Sequence, residues 1–191
     1  MKCAKCNSKK CKIGIDCKSE ITKKVISEYK KEENKKLIEV SSYIEGNYYM
    51  KKNRIEELIE FCKMMNYTKL GISFCIGLKK ECETLEKILS KDFKVYSVCC
   101  KVCGIDKKMF NLKQINENDR ESMCNPIGQS MILNNLNTEL NIILGLCIGH
   151  DILFQKYSMA PTTTLIVKDR VLAHNPVGAL YSEYYLKKLC K

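Results

Sequence analysis

Four of the chain's thirteen cysteines fall within its first seventeen residues, as Cys3, Cys6, Cys11 and Cys17 in the pattern C-x2-C-x4-C-x5-C. The residues around them are mostly lysine, asparagine, serine and glycine, so residues 1–18 cannot build a hydrophobic core of their own. Four thiolates in so short a stretch can wrap one tetrahedral ion, and without it the segment is expected to be disordered. The spacing lies close to that of a zinc knuckle with Cys in place of its His, and it equally suits a 4Fe–4S cluster. The sequence thus predicts a small N-terminal metal-binding knuckle holding an iron–sulfur cluster or zinc. A chain with no Trp and abundant Lys, Ile and Asn fits an AT-rich anaerobe, which tilts the expectation toward iron–sulfur.

The remaining composition bounds the setting. An odd number of cysteines, unevenly spaced, argues against a disulfide framework and for metal or thiol chemistry in a reducing compartment. The N-terminus carries no apolar stretch of signal-peptide type, and no apolar run approaches the ~18–20 residues needed to span a bilayer. The expectation is a soluble, cytoplasmic protein without a membrane partner. The net charge is +11, and residues 1–24 hold eight lysines against Asp16 and Glu20. Four thiolates around a divalent ion or an oxidised four-iron cluster carry about −2, so these lysines have a local anion to offset. A nucleic-acid partner is disfavoured, because residues 1–28 contain no aromatic for base stacking.

Beyond the tail, residues 19–66 read as a helical segment packing on the core. Ile21, Val25 and Tyr29 form a loose helical stripe, and Gly46 is expected to end the next helix. Ile55, Leu58, Ile59, Cys62 and Met65 mark a buried helix face. Residues 67–191 change rhythm to strand and helix in alternation. Expected strands are Leu70–Ile76, Phe93–Cys99, Leu140–Leu146 and Thr164–Val167; expected helices run from Leu78 to Leu89, Pro126 to Asn137 and Val177 to Lys188. Such alternation implies parallel pairing. The fold class is therefore α/β, with an open, mainly parallel sheet flanked by helices in Rossmann-like layers and the knuckle appended.

Once the strands are placed, a second set of cysteines stands out. Cys75 ends the first strand, Cys99, Cys100 and Cys103 the second, and Cys147 the third. In an open parallel sheet, ligands bind beyond the carboxyl ends of the strands. Strands ~4.8 Å apart bring such thiols within reach of one atom or cluster, which predicts a thiol-lined pocket. Cys124 precedes Asn125-Pro126 at a helix N-terminus, where the dipole favours the thiolate. The only two histidines, His150 and His174, fall near the same edge, with Asp151, Lys168, Asp169 and Arg170 flanking them. Cys62 and Cys82, on apolar helical stripes, read as core.

Three functions suit these features. The first is a metal-binding protein whose pocket holds a second metal or cluster, or acts on a small sulfur-containing or anionic ligand, in electron transfer or metal and cluster handling with a redox partner. In that reading Cys75, Cys100, Cys103, Lys168, Asp169, Arg170 and His174 face the ligand. The second is an enzyme of sulfur or acyl transfer with Cys124 or Cys147 as nucleophile, His150 as base, and a structural zinc in the tail. The third is a zinc-knuckle nucleic-acid binder.

Several stretches carry a resemblance that spans nearly the whole chain: GISFCIGL (71–78), SVCCK (97–101), CNP (124–126), GLCIGHD (145–151), AP (160–161) and KDRVLAHNP (168–176). They resemble a family of cysteine-rich proteins of anaerobic bacteria and archaea, catalogued as a domain of unknown function and often labelled metal-binding. The resemblance implies importance for Cys75, Cys100, Cys124, Cys147, His150, Asp151, Lys168, Asp169, Arg170 and His174, and implies no particular reaction.

Overall fold

A computed structural model describes residues 1–190, which divide into two compact units at the Asn53–Arg54 boundary. The first holds two short 3-10 turns, Cys3–Lys5 and Lys10–Ile13, and two helices, α1 (Ser19–Tyr29) and α2 (Glu32–Tyr48), which pack on each other. Gly46 does not end α2. It sits in the last turns with open space where a side chain would be, and the ~1 kcal/mol an exposed helical glycine costs does not stop a helix of seventeen residues.

The second unit is the α/β layer structure expected from the alternating pattern. Its helix α3 (Arg54–Met64) leads into β1 (Lys69–Phe74), α4 (Lys79–Leu89) and β2 (Lys94–Cys99). After a long excursion come α5 (Pro126–Asn135), β3 (Leu140–Leu144), α6 (His150–Tyr157) and β4 (Thr162–Ile166). The chain ends in α7 (Val177–Tyr181) and α8 (Glu183–Leu189), two helices broken by extended backbone at Ser182 where one continuous helix was expected. All strands pair in parallel in the order β2-β1-β3-β4.

Strand alternation sends successive side chains to opposite faces. Leu70, Ile72, Phe74, Leu140, Ile142 and Leu144 pack on one face with Leu58 and Cys62 of α3 and Cys82, Leu85 and Leu89 of α4. Cys62 and Cys82 are core residues, and burial pushes both thiols up to about 12. The opposite face meets α5 and α6 through Val98, Ile143, Leu133 and Phe154, together with Cys75 and Cys100. On this face β1 is pared down to Gly71 and Ser73. A Cβ on Gly71 would lie 2.1 Å from Asn141 Oδ1 and 2.9 Å from Leu133 Cδ1, so only glycine lets α5 approach. Gln129 of α5, fully buried, donates from Nε2 to the carbonyls of Phe74 (3.2 Å) and Val98 (2.7 Å), pinning the helix to the ends of β1 and β2.

With β1 and β3 adjacent at the centre and their crossovers leaving in opposite directions, the β1–β3 seam is the topological switch point of the sheet. Ligand crevices of open α/β folds form beyond the carboxyl ends of strands at such a seam.

Candidate thiol site at the sheet edge

The register sets the site. Phe74 lies opposite both Cys99 and Leu144, and the next residues continue the ladder. Cys100 N–H donates to the Phe74 carbonyl (2.9 Å), and Cys75 N–H to the Leu144 carbonyl (3.1 Å). Cys75 and Cys100 are thereby side by side on the α5 face, both buried. Cys99, one residue earlier, turns to the other face and packs against both core clusters.

Cys124 arrives from the 101–124 excursion, whose base is tightly clasped. Lys101 Nζ donates to the Ser122 carbonyl (2.6 Å), Met123 N–H to Ile105 (2.8 Å), and Asn125 N–H to Cys100 (2.7 Å); Lys107 pairs with Glu121 at 2.8 Å. Asn125 caps α5 by accepting from Gly128 N–H (2.8 Å), and its Nδ2 donates to the Val102 carbonyl (3.3 Å). A Cβ on Gly128 would strike Asn125 Nδ2 at 2.4 Å, which explains the glycine in the first turn. The result places Cys124 Sγ 3.9 Å from Cys100 Sγ.

Cys100 is thus the middle of three thiols, with Cys75 and Cys124 as its hydrogen-bonding neighbours. Its sulfur also accepts the Ile76 N–H (3.3 Å). The Cys100 hydrogen bond is the largest cause holding the Cys75 thiol down, to about 5, with help from the Gly77 backbone and the Lys168 ammonium against the opposing cost of burial. It is also the largest cause holding Cys124 down, to about 6, aided by the fields of Lys101 and His150. Cys100 itself is pushed up, chiefly by its contacts with Cys124 and Cys75 and then by burial. One S–H serves one acceptor at a time, so the three thiols titrate as a unit.

Lys168 reaches this cluster between two glycines. A Cβ on Gly77 would be 3.4 Å from its Nζ, and one on Gly145 would be 3.8 Å from its Cδ. Gly145 also has φ +70, and a Cβ there would be driven to 1.9 Å from Leu78 Cδ1. Arg170 Nη2 donates to Cys147 Sγ at 3.1 Å. The turn that presents Arg170 is built by its neighbours. Asp169 Oδ1 accepts the N–H groups of Val171 (2.9 Å) and Leu172 (2.8 Å), and Asp169 N–H donates to His174 Nδ1 (3.1 Å). Asp169 and His174 therefore shape the turn in this structure.

His150 opens α6, where its N–H and that of Asp151 donate to the Cys147 carbonyl (2.9 and 3.1 Å). The sequence pattern gave no sign of α6, and with it of the helix N-terminus behind Cys147. Cys103 is exposed, at φ +70, and no hydrogen bond among the described residues ties it to the three-thiol cluster.

The N-terminal cysteines are all exposed. Cys6 N–H donates to the Cys3 carbonyl (3.0 Å) and Gly14 N–H to the Cys11 carbonyl (3.2 Å), with left-handed backbone at Lys9 and Gly14. The Cys6 thiol lies below its usual range, chiefly through Ser8 Oγ at 3.4 Å, then through backbone N–H groups of Lys9 and Ser8. Asp16 accepts from Lys18 N–H and Thr22 Oγ1, both at 2.7 Å, which ties the peptide around Cys17 to the first turn of α1. Among the described residues, no three or more His, Cys, Asp or Glu side chains form a group arranged to hold a metal ion. No helix among them is long and apolar enough to cross a membrane.

The fold and the clustered sulfurs define a class: a parallel α/β protein with a thiol cluster beyond the carboxyl edge of its sheet. The chain belongs to the family described as protein of unknown function (DUF1847), whose model matches residues 11–165. A protein of Methanocaldococcus jannaschii, described as uncharacterized, is 69% identical over 189 residues, covering 99% of this chain and 98% of that one. No solved structure matches the chain.

Proposed function

We propose that this protein binds a soft metal ion or an iron–sulfur cluster through its thiols and uses the strand-edge site in redox chemistry or metal and cluster handling. One observation supports this reading above the others: at the switch-point edge the Cys100 sulfur lies 3.9 Å from that of Cys124 and is also a hydrogen-bonding neighbour of Cys75, a chain of three thiols that would have to draw together to form a three-ligand group. Two thiolates on one tetrahedral ion with ~2.3 Å bonds stand ~3.8 Å apart. The donor chemistry fits as well, since lowered thiols at Cys75 and Cys124 supply the deprotonated form that soft metals take. Cys75, Cys100 and Cys124 would be the ligands, with Cys147 available on release from Arg170. A second ion at Cys3, Cys6, Cys11 and Cys17 would order the tail, where the Ser8 hydroxyl and then backbone N–H groups favour the Cys6 thiolate. The protein's own contribution is to hold these thiolates together and surround them with Lys168, Arg170, Lys101 and His150.

Metal analysis and absorption spectra on oxygen-free preparations test the proposal. Full-length protein with Cys3, Cys6, Cys11 and Cys17 all changed to Ser is expected to retain metal that a further Cys75→Ser/Cys124→Ser change removes. If all metal disappears with the tail cysteines, the strand-edge site is refuted.

A second reading, a cysteine-nucleophile enzyme of sulfur or acyl transfer, draws on the Cys147–Arg170 contact and the Lys168 ammonium beside Cys75, which suit an anionic substrate. It requires one thiol that alkylates far faster than free cysteine in metal-free protein at neutral pH. Uniformly slow labelling removes it.

A further inference from the structure

Cys100 and Cys124 differ in a way that a shared metal site does not require. Cys124 is half-buried and stands immediately before the cap of α5; Cys100 is 2% exposed, beneath it. An accessible thiol at a helix N-terminus over a shielded thiol is the division of labour between an attacking and a resolving cysteine. The backbone supports the pairing, because the Asn125 N–H to Cys100 carbonyl bond (2.7 Å) ties the two segments together beside the sulfurs. From 3.9 Å the sulfurs need close by only ~1.9 Å to reach bonding distance of ~2.0 Å.

We propose that Cys124 and Cys100 form a redox-active dithiol that reduces disulfides of small carboxylate-bearing thiols. The Cys124 thiolate attacks one sulfur of the substrate RSSR, forming a mixed disulfide and expelling RS⁻. The Cys100 thiol gives its proton to solvent and attacks Cys124 Sγ, expelling the second RS⁻. The balance is two protein thiols plus RSSR giving one protein disulfide plus two RSH. The protein loses two electrons and the substrate gains them. The substrate class follows from the surroundings: Lys101 Nζ lies 2.6 Å from the Ser122 carbonyl, two residues before Cys124, Arg170 Nη2 lies 3.1 Å from Cys147 Sγ, and Lys168 reaches in beside Gly77, and these cations favour carboxylates over neutral or cationic disulfides. This activity belongs to the metal-free thiols and is independent of the metal reading.

The test uses full-length, reduced, metal-free protein exposed to oxidised glutathione, then trapped by alkylation and mapped by peptide mass spectrometry, with and without added zinc. A Cys100–Cys124 crosslink is expected, without glutathione retained on either residue. Cys100→Ser should instead trap one glutathionyl group on Cys124, and Cys124→Ser should abolish reaction at both. Cystamine, the cationic counterpart, should react at least tenfold more slowly. The proposal is overturned if Cys100 and Cys124 stay alkylatable while exposed Cys103 becomes glutathionylated, or if the crosslink joins Cys75 to Cys100. Zinc should slow the crosslink if these sulfurs are also metal ligands. A crosslink indifferent to zinc would remove the metal reading at this edge and leave the dithiol standing.

Discussion

Replacing Cys100 with Ala probes the cluster most directly, because the central thiol is the largest cause of both lowered neighbours. A hydrogen bond to a charged group contributes ~1.5–3 kcal/mol, and one pKa unit corresponds to ~1.36 kcal/mol. A single S–H shared between two thiolates therefore accounts for ~0.5–1 unit at each when time-averaged. The full ~1–2 units falls on whichever thiolate holds the proton. In wild-type protein the Cys100 hydrogen bond holds the Cys75 thiol below its ordinary range, whereas an ordinary thiol near ~8.5 is only ~3% ionised at pH 7. Cys100→Ala should move the Cys75 and Cys124 titrations upward together by ~1 unit each. Lys168→Met should move Cys75 more than Cys124, and by less than Cys100→Ala does, because the lysine ranks behind Cys100 among the causes.

The assay is alkylation rate against pH, resolved by peptide mass spectrometry, on metal-free protein. Cys62 and Cys82, pushed up to about 12 by burial, provide unreactive internal controls. Refutation is simple. If Cys75 and Cys124 titrate unchanged in Cys100→Ala, or if only one of them moves, the sulfurs are not coupled through Cys100.

Three further outcomes follow from the geometry. Gly71→Ala forces a Cβ to 2.1 Å from the buried Asn141 Oδ1, so a loss of ~2–3 kcal/mol in urea unfolding is expected; a loss below ~1 kcal/mol would show that α5 is not closely seated. Cys62 and Cys82 have raised folded-state pKa values, so their contribution is complete below the unfolded value near ~8.5 and is lost as pH rises through about 12; each adds a downward slope of ~1.4 kcal/mol per pH unit in that window, which the Cys62→Ala and Cys82→Ala variants should each reduce when urea midpoints are followed with pH. Finally, Lys168→Met and Arg170→Met should each weaken retention of strand-edge metal by roughly five- to tenfold, ~1 kcal/mol each, in competition with a chelator; tighter retention would refute an anionic thiolate complex.

How much of this was legible in the sequence depends on burial. The runs LGISFCI and LNIILGL are short and mostly apolar because the central strands β1 and β3 are covered on both sides, and so both strands could be read directly, although their order in the sheet could not. Helix α6 left no stripe because Phe154 is its single buried side chain; Ile152 and Leu153 face outward, which breaks the period. The edge strand β4 begins at Thr162, two residues before the expected start at Thr164, since an edge strand tolerates threonines. That cysteines gather at the strand ends was readable. Which of them meet was not, because adjacent Cys99 and Cys100 go to opposite faces and only the register with Phe74 decides between them. Arg170 stood out as one charge among several; its contact with Cys147 depends on the 169–174 turn that Asp169 and His174 close.

The charges around the sulfurs distinguish what the edge can hold. A bare divalent cation approaching neutral thiols would meet Lys168 and Arg170 as repulsion, and a site evolved for that encounter would place carboxylates there instead. Thiolates reverse the sign. Once Cys75 and Cys124 are ionised, and with Cys147 against a guanidinium, the sulfur group is the anion and the lysine and arginine are its counter-ions. Three or four thiolates around a divalent ion would remain net negative, by about −1 to −2, a charge that Lys168 and Arg170 would offset. On the dithiol proposal the same two side chains would instead meet the carboxylates of a disulfide substrate, but only as far as the free thiolates leave their charge uncompensated. The two proposals would thus be alternative uses of one electrostatic arrangement, selected by whether the thiolates are coordinated or free.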